Sequence, residues 1–395
     1  MHTSRLLKVA AIGSAVVMLA ACGSSGSSGS GASNPPDVPK FEGPVGEGEG
    51  KLSVLAWPGY AEEGKTDPAV DWVTPFEEAT KCDVTVQTFG TSDESFQQFQ
   101  TGQYDVVSAS GDASRRLIFG GFVQPVNMDL IPNYKDIVAD LKDQTYNTVN
   151  GVNYGLPHGR GANVLAWNTA EVTPAPDSWS AVFDVNSPYK GKIGAYDNAI
   201  YLADAALYLM KSQPDLKITN PYALDADQLK AAKDLIAAQK GIVGEYWSDA
   251  FKQIDSFTSG ATLVSTTWPY QVLALEGTVT SIKPKEGATG WSDTWMIKKD
   301  TASLNCAYKW LDWMGSPETQ AAVAEWFGEA PANPKACDLT TVKEHCDNYH
   351  ATDTEYWKDV YYWNTPTEDC LDGRTDVKCT TYKDWVAAWT EARGA

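Results

Sequence analysis

The chain runs to 395 residues and carries 51 acidic against 31 basic side chains, a formal net charge of −20. That surplus excludes nucleic acid as a partner, since such binding rests on Lys and Arg neutralising phosphates. A negative field gathers cationic solutes, and it equally keeps an exported protein soluble. The length exceeds what one hydrophobic core serves, so two lobes are expected.

His2, Arg5 and Lys8 make a basic start, followed by an apolar run over 9–21 that stops at Cys22. This is the pattern of a signal peptide over 1–21, too short for a spanning helix. Leu19-Ala20-Ala21-Cys22 resembles the lipobox of bacterial lipoproteins. That resemblance implies cleavage before Cys22 and a lipid on its thiol. The protein would then be extracytoplasmic, held to the outer face of the cytoplasmic membrane by the lipid anchor alone. Residues 22–50, rich in Gly, Ser and Pro, read as a flexible linker with nothing to bury. Folded sequence is expected from Lys51, and no later stretch offers the ~18 uninterrupted apolar residues of a membrane span.

Residues 51–57 form a short apolar run with the look of a buried strand, ended by Pro58-Gly59. A helix over 68–80, a strand over 83–89, a helix opening at Ser92, a strand over 104–108 and a helix from Ser110 follow. Strands are then expected at 151–157, 163–168 and 191–196, with a helix opening at Ser178. Helices over 199–210 and 226–239, strands over 261–267 and 294–297, and a helix over 303–314 complete the series. Strands alternating with helices predict open α/β sheets. Ligands bind such sheets beyond the carboxyl ends of strands, where 57–60 and 108–112 lie.

With Cys22 set aside, six cysteines remain, an even count that suits an oxidising compartment. Several pairings are open. Spacing favours Cys337–Cys346 and Cys370–Cys379 as short local loops, with Cys82–Cys306 as a long-range clip. A zinc site is the rival, weakened by the lack of any C-x-x-C pair, and no metal is expected.

Several segments, in order, resemble the bacterial polyamine-binding proteins of ABC transporters, the spermidine/putrescine receptors of the type II periplasmic-binding fold. They are Trp57-Pro58-Gly59-Tyr60, Gly102-Gln-Tyr-Asp-Val-Val107, Asn186-Ser-Pro-Tyr-Lys-Gly-Lys-Ile193, Lys283-Pro-Lys-Glu-Gly287 with Trp291-Ser-Asp293, and the run from Ser316 to Val323. The resemblance spans roughly residues 50–335. It implies an α/β chain of two lobes joined by two crossing hinge strands, with the ligand enclosed between them and hinge closure on binding. The first lobe would take 51–160 plus 293–334, the second 161–292 plus 335–395. It further implies a monomeric solute-binding lipoprotein of an ABC importer. Such a protein is no enzyme, uses no cofactor, and delivers a polyamine to a permease and its ATPase.

A flexible ammonium ligand needs carboxylates at its amines and aromatic faces along its methylenes. By the resemblance, Trp57, Tyr60, Trp268 and Trp291 line the cleft and Asp293 pairs with an amine. The chain departs from the family at Asn198 and Tyr201, which stand where the family has carboxylates. Glu329 and Asp112 add acids beside family contacts, either as relocated ligand groups or as exposed loop acids. Arg160, within His158-Gly-Arg-Gly-Ala-Asn163, is either a clamp on a ligand carboxylate or a hinge ion pair. The clamp would suit an ω-amino acid such as γ-aminobutyrate, the main alternative to a polyamine. More distant alternatives are a sugar receptor and a secreted glycosidase, which needs two placed carboxylates. No G-x-S-x-G, H-E-x-x-H or P-loop pattern is present.

Overall fold

The computed structural model describes residues 34–394. The expected signal peptide over 1–21 and Cys22 lie outside them. Strand Lys51–Ala56 buries Leu52, Val54, Leu55 and Ala56, the near-continuous apolar run that a sheet covered on both faces selects. It pairs in parallel with Asp83–Thr88 on one side and Val106–Ala109 on the other. Thr294–Ile297 runs antiparallel to Val106–Ala109 and to Gly155–Pro157, completing a five-stranded sheet.

A second five-stranded sheet repeats the scheme, in the order Val243–Trp247, Ile193–Tyr196, Val264–Thr267, Val164–Asn168, Val279–Ile282. Its first three strands are parallel, and Val164–Asn168 opposes both of its neighbours. In each lobe the opposing strand is the one arriving from the other lobe. It enters where its neighbours finish, with Thr294 beside Ala109 and Val164 beside Thr267.

The lobes are joined by the two expected crossing strands, Gly159–Ala162 and Ala288–Trp291, which pair antiparallel. Two short outer strands, Ala330–Pro331 and Val360–Tyr362, widen this hinge to a four-stranded sheet. Gly161 is required by close approach, since a Cβ there would sit 2.1 Å from the Trp291 ring.

The linker expectation does not hold from Asn34 onward. Val38 is buried, Phe41 meets Tyr308 at 5.3 Å, and Gly46 donates its N–H to the Asn305 side chain. The Glu49 carboxylate accepts from the N–H groups of Asn305 and Cys306 at 2.8 and 3.0 Å, at the start of helix Leu304–Met314. Isolated apolar and acidic residues in a Pro/Gly-rich stretch carry no periodicity, yet each finds a partner on the finished first lobe.

The helix expected from 68 begins at Val73, because Glu63 and Asp71 form an isolated β-bridge ahead of it. Helix Ala226–Gln239 has the expected bounds, set by a capping box between Asp225 and Gln228. Residues after 335 do not belong to the second lobe alone. Trp357 and Val360 pack with Ala162, Val164 and Ala288 at the hinge. The Thr365 and Tyr382 hydroxyls reach the first lobe at Asp112 and Asp93. Helix Tyr382–Arg393 covers the second lobe, with Trp385 stacked on Tyr222. The tail is thus a strap across both lobes.

Disulfides join Cys82 to Cys306, Cys337 to Cys346 and Cys370 to Cys379, as the spacing suggested. Among the described residues, the cluster with metal-ligand spacing is Cys370, Asp372 and Cys379, whose sulfurs are bonded to each other. No helix among them is long and apolar enough to cross a membrane.

Candidate functional site

Where the strands of both lobes end, the lobes meet around a narrow cleft. Its walls are Trp57, Tyr60, Ser110 and Phe327 from the first lobe, Trp268 from the second, Trp291 and Asp293 from the crossing segment, and Trp363 from the strap.

Strand Lys51–Ala56 delivers Trp57 to the cleft, and Pro58-Gly59 turn the chain back so that Tyr60 enters as well. The Trp57 indole N–H donates to the Ser110 hydroxyl at 3.1 Å. Trp268 follows strand Val264–Thr267 and immediately precedes helix Pro269–Ala274. It meets Trp57 edge-on at 5.7 Å, which brings the two lobes into aromatic contact, and it packs on Trp247 at 4.9 Å and Tyr196 at 5.5 Å. Trp363 stacks on Tyr196, and its backbone N–H donates to the Gly290 carbonyl of the hinge at 2.7 Å.

The polar centre is small and fully buried. The Tyr60 hydroxyl donates to Asp293 Oδ2 at 2.9 Å and lies 3.4 Å from Glu329 Oε2. Asp293 Oδ1 is buried and makes no hydrogen bond of good geometry, although the Ser110 hydroxyl lies close enough to favour the charged carboxyl. Gly328, with a φ of +76°, ends helix Pro317–Phe327 in the left-handed conformation that glycine favours and swings Glu329 inward. Burial pushes the Asp293 carboxyl up from the ordinary 3.8 to about 7. Burial, reinforced by the nearby Asp293 charge, holds Glu329 well above its ordinary range.

Beside Glu329, His158 Nδ1 accepts the Trp295 indole N–H at 2.9 Å, which places the ring proton on Nε2, 3.5 Å from Glu329 Oε1. Burial lowers the His158 pKa to about 3, so the ring is neutral. A carboxylate that is costly to ionise, with one oxygen lacking a well-formed hydrogen bond inside an aromatic box, is a chemical match for an ammonium group. The rings attract the cation by about 0.5–2 kcal/mol each, and the charge-assisted hydrogen bond fixes its direction.

Of the residues singled out from sequence, Trp57, Tyr60, Trp268, Trp291 and Asp293 come together here, and Glu329 lies one contact behind, against Tyr60. Asp112 is not an exposed loop acid. It is fully buried in helix Gly111–Phe119, where Oδ1 accepts from the Ser92 hydroxyl at 2.8 Å and Oδ2 has no partner, and burial raises its carboxyl to about 6. Asn198 caps the short helix Ala199–Tyr201 by accepting the Ile200 N–H at 3.0 Å, and its Nδ2 donates to Asp93 of the first lobe at 3.5 Å. Tyr201 turns into the second lobe, stacked on Phe183, with its hydroxyl accepting from Gln239 Nε2 at 2.9 Å. Arg160 pairs with Asp140, donates to the Ala351 carbonyl at 3.1 Å and lies 4.3 Å over the Trp357 ring. That is the hinge arrangement, away from the cleft walls.

Ser110 falls in the 108–112 segment expected at the strand ends, whereas Phe327 and Trp363 were not foreseen as walls. The aromatic run Tyr361-Tyr362-Trp363 was a visible signal, but it lies beyond the resembling segments.

Two mixed α/β lobes on crossing hinge strands, with a cleft between them, define the type II periplasmic-binding proteins, extracytoplasmic receptors for small solutes. The chain belongs to the bacterial extracellular solute-binding protein family, whose sequence profile matches residues 71–348. It is 25% identical over 305 residues to the putrescine/cadaverine-binding protein of Pseudomonas aeruginosa, covering 72% of this chain and 80% of that one. Among solved structures it resembles the spermidine/putrescine ABC transporter substrate-binding protein PotD of Streptococcus pneumoniae, with a TM-score of 0.66, 19% identity and coverage of 87% and 97%. It also resembles a γ-aminobutyrate (GABA) receptor, with a TM-score of 0.61, 18% identity and coverage of 86% and 97%. At these identities the solved structures speak to the fold alone.

Proposed function

We propose that this chain is the receptor of an ABC importer, lipid-anchored through Cys22, and that it captures a small linear amine of the putrescine type for a permease and its ATPase. The observation that carries this reading is the buried Oδ1 of Asp293, without a hydrogen bond of good geometry, at the floor of an aromatic box. Trp57, Tyr60 and Trp268 take the apolar stem of the ligand, and Asp293 takes an ammonium. The closed form, with Trp57 against Trp268, is then the surface offered to the permease. Chemistry on the solute is not part of this role.

An ω-amino acid is the second reading, in line with the GABA receptor of similar fold. It is disfavoured because the described cleft walls include no Lys or Arg to meet a carboxylate, and Arg160 is engaged at the hinge.

The test is calorimetry and thermal unfolding of the purified full chain with putrescine, cadaverine, spermidine, agmatine, γ-aminobutyrate and oligosaccharides. A ligand at a hundredfold excess over Kd stabilises by about 2.7 kcal/mol. A response to amines supports the reading, and a response to γ-aminobutyrate or sugars alone overturns it.

A further inference from the structure

The lobes also meet outside the cleft walls, and one of those contacts is polar. Asp93, in the first turn of helix Ser92–Phe99, collects donors from both sides. Arg116 of its own lobe pairs with Oδ1 at 2.7 Å. The Tyr382 hydroxyl, at the start of the C-terminal helix, donates to the same oxygen at 2.9 Å, and Asn198 Nδ2 of the second lobe donates to Oδ2 at 3.5 Å. The Arg116 guanidinium lies 4.2 Å over the Tyr382 ring, a favourable cation–π arrangement. Beside them a Cβ on Gly90 would stand 3.1 Å from the Ser248 carbonyl oxygen, so the backbones of the two lobes approach here too. Gly90 and Asp93 follow strand Asp83–Thr88, and Ser248 follows Val243–Trp247. Each of these is the edge strand of its sheet, on the side opposite the strands that run into the hinge.

The strap does not hold the two lobes equally. On the second lobe Arg374 pairs with Asp225 at 3.3 Å, Trp385 is fully buried against Tyr222, and Arg393 pairs with Asp197. Toward the first lobe it offers hydrogen bonds. Besides Tyr382 on Asp93, the Thr365 hydroxyl donates to the Asp112 carbonyl at 2.9 Å and Asn364 Nδ2 to the Thr145 hydroxyl at 2.6 Å. Bonds of this kind exchange for water when surfaces part, whereas exposing a buried indole face does not repay itself.

We propose that the strap is an interlobe latch. It travels with the second lobe, and Tyr382 closing on Asp93 holds the lobes together, with or without solute. Affinity is then set in part by residues that stand outside the cleft walls, whatever the solute is.

The test is Tyr382→Phe, which removes the hydroxyl and keeps the ring under Arg116. Loss of one hydrogen bond to a charged group should shift the closed-to-open ratio on the order of tenfold toward open. Small-angle scattering of the unliganded full chain should then give a larger radius of gyration than wild type. Stopped-flow binding of putrescine should show dissociation about tenfold faster with association within about twofold. Thr365→Val removes the second hydroxyl, should act in the same direction, and keeps the latch testable if Tyr382→Phe folds poorly. An unchanged radius of gyration in both variants overturns the latch. So does a lower Tm with unchanged putrescine dissociation, the mark of a strap that only stabilises. Failure of wild type to bind putrescine removes the amine reading instead, and scattering alone then decides the latch.

Discussion

Asp293→Asn separates the binding role of this residue from any structural one, because the two predict opposite signs. A carboxyl that titrates at about 7 instead of 3.8 costs the folded, ligand-free protein on the order of 4 kcal/mol once ionised. The folded state holds the proton more tightly than the unfolded chain does. Wild-type stability should therefore fall as pH rises from about 4 to about 7 and level off above. Asparagine still accepts the Tyr60 hydroxyl at the Oδ2 position but leaves an amide N–H unsatisfied, a cost of about 1–3 kcal/mol. The expected net gain at pH 8 is about 1–3 kcal/mol, a few degrees in Tm, shrinking toward pH 5. Binding moves the other way. Removing one partner of a desolvated ion pair costs about 2–5 kcal/mol, so putrescine affinity should drop by roughly 30-fold to several thousandfold. Thermal unfolding across pH 5–8, paired with calorimetry, reads both effects. Unchanged putrescine affinity in Asp293→Asn, or a lower Tm at pH 8, refutes the assignment of Asp293 as the ammonium ligand.

Arg160→Met should destabilise by about 2–4 kcal/mol in urea, because it strips Asp140 and the Ala351 carbonyl of a buried donor. Amine affinity of the folded variant should stay within threefold, and a hundredfold loss would return Arg160 to the ligand. Replacing Cys82 and Cys306 together with Ala opens a loop of 224 residues. Chain entropy puts that loss at about 5 kcal/mol at most, and an unchanged urea midpoint would show that the packed 34–50 segment alone holds this region.

Much of the fold was legible because sheet strands buried on both faces write themselves as apolar runs. The 51–56 and 106–109 strands are of that kind. Strand Val243–Trp247 was not legible. Its burial is partial and its Gly244 and Glu245 break the pattern. The hinge strand Gly159–Ala162 hid behind two glycines, which report close backbone approach rather than strand propensity. In the site, aromatic and acidic residues near strand ends were recoverable from order along the chain. Asn198 and Tyr201 were misplaced because correspondence of position does not fix side-chain direction. Asn198 was taken by the cap of its own turn, and Tyr201 by the core. Trp363 carried a visible aromatic signal, but what makes it relevant is a strap that takes its place only after both lobes are built.

The placing of Thr294–Ile297 inside the first sheet, between Val106–Ala109 and Gly155–Pro157, bears on the birth of the molecule. A ribosome delivers the N-terminal half of that sheet long before the strand that joins its two sides. The second lobe in turn waits for its covering helix Tyr382–Arg393 at the very end of the chain. Contacts of such long sequence separation form slowly, so the nascent polypeptide has no finished lobe to collapse into until synthesis is nearly complete. For a receptor that works outside the cytoplasm, this delay keeps the chain threadable while it still has a membrane to cross.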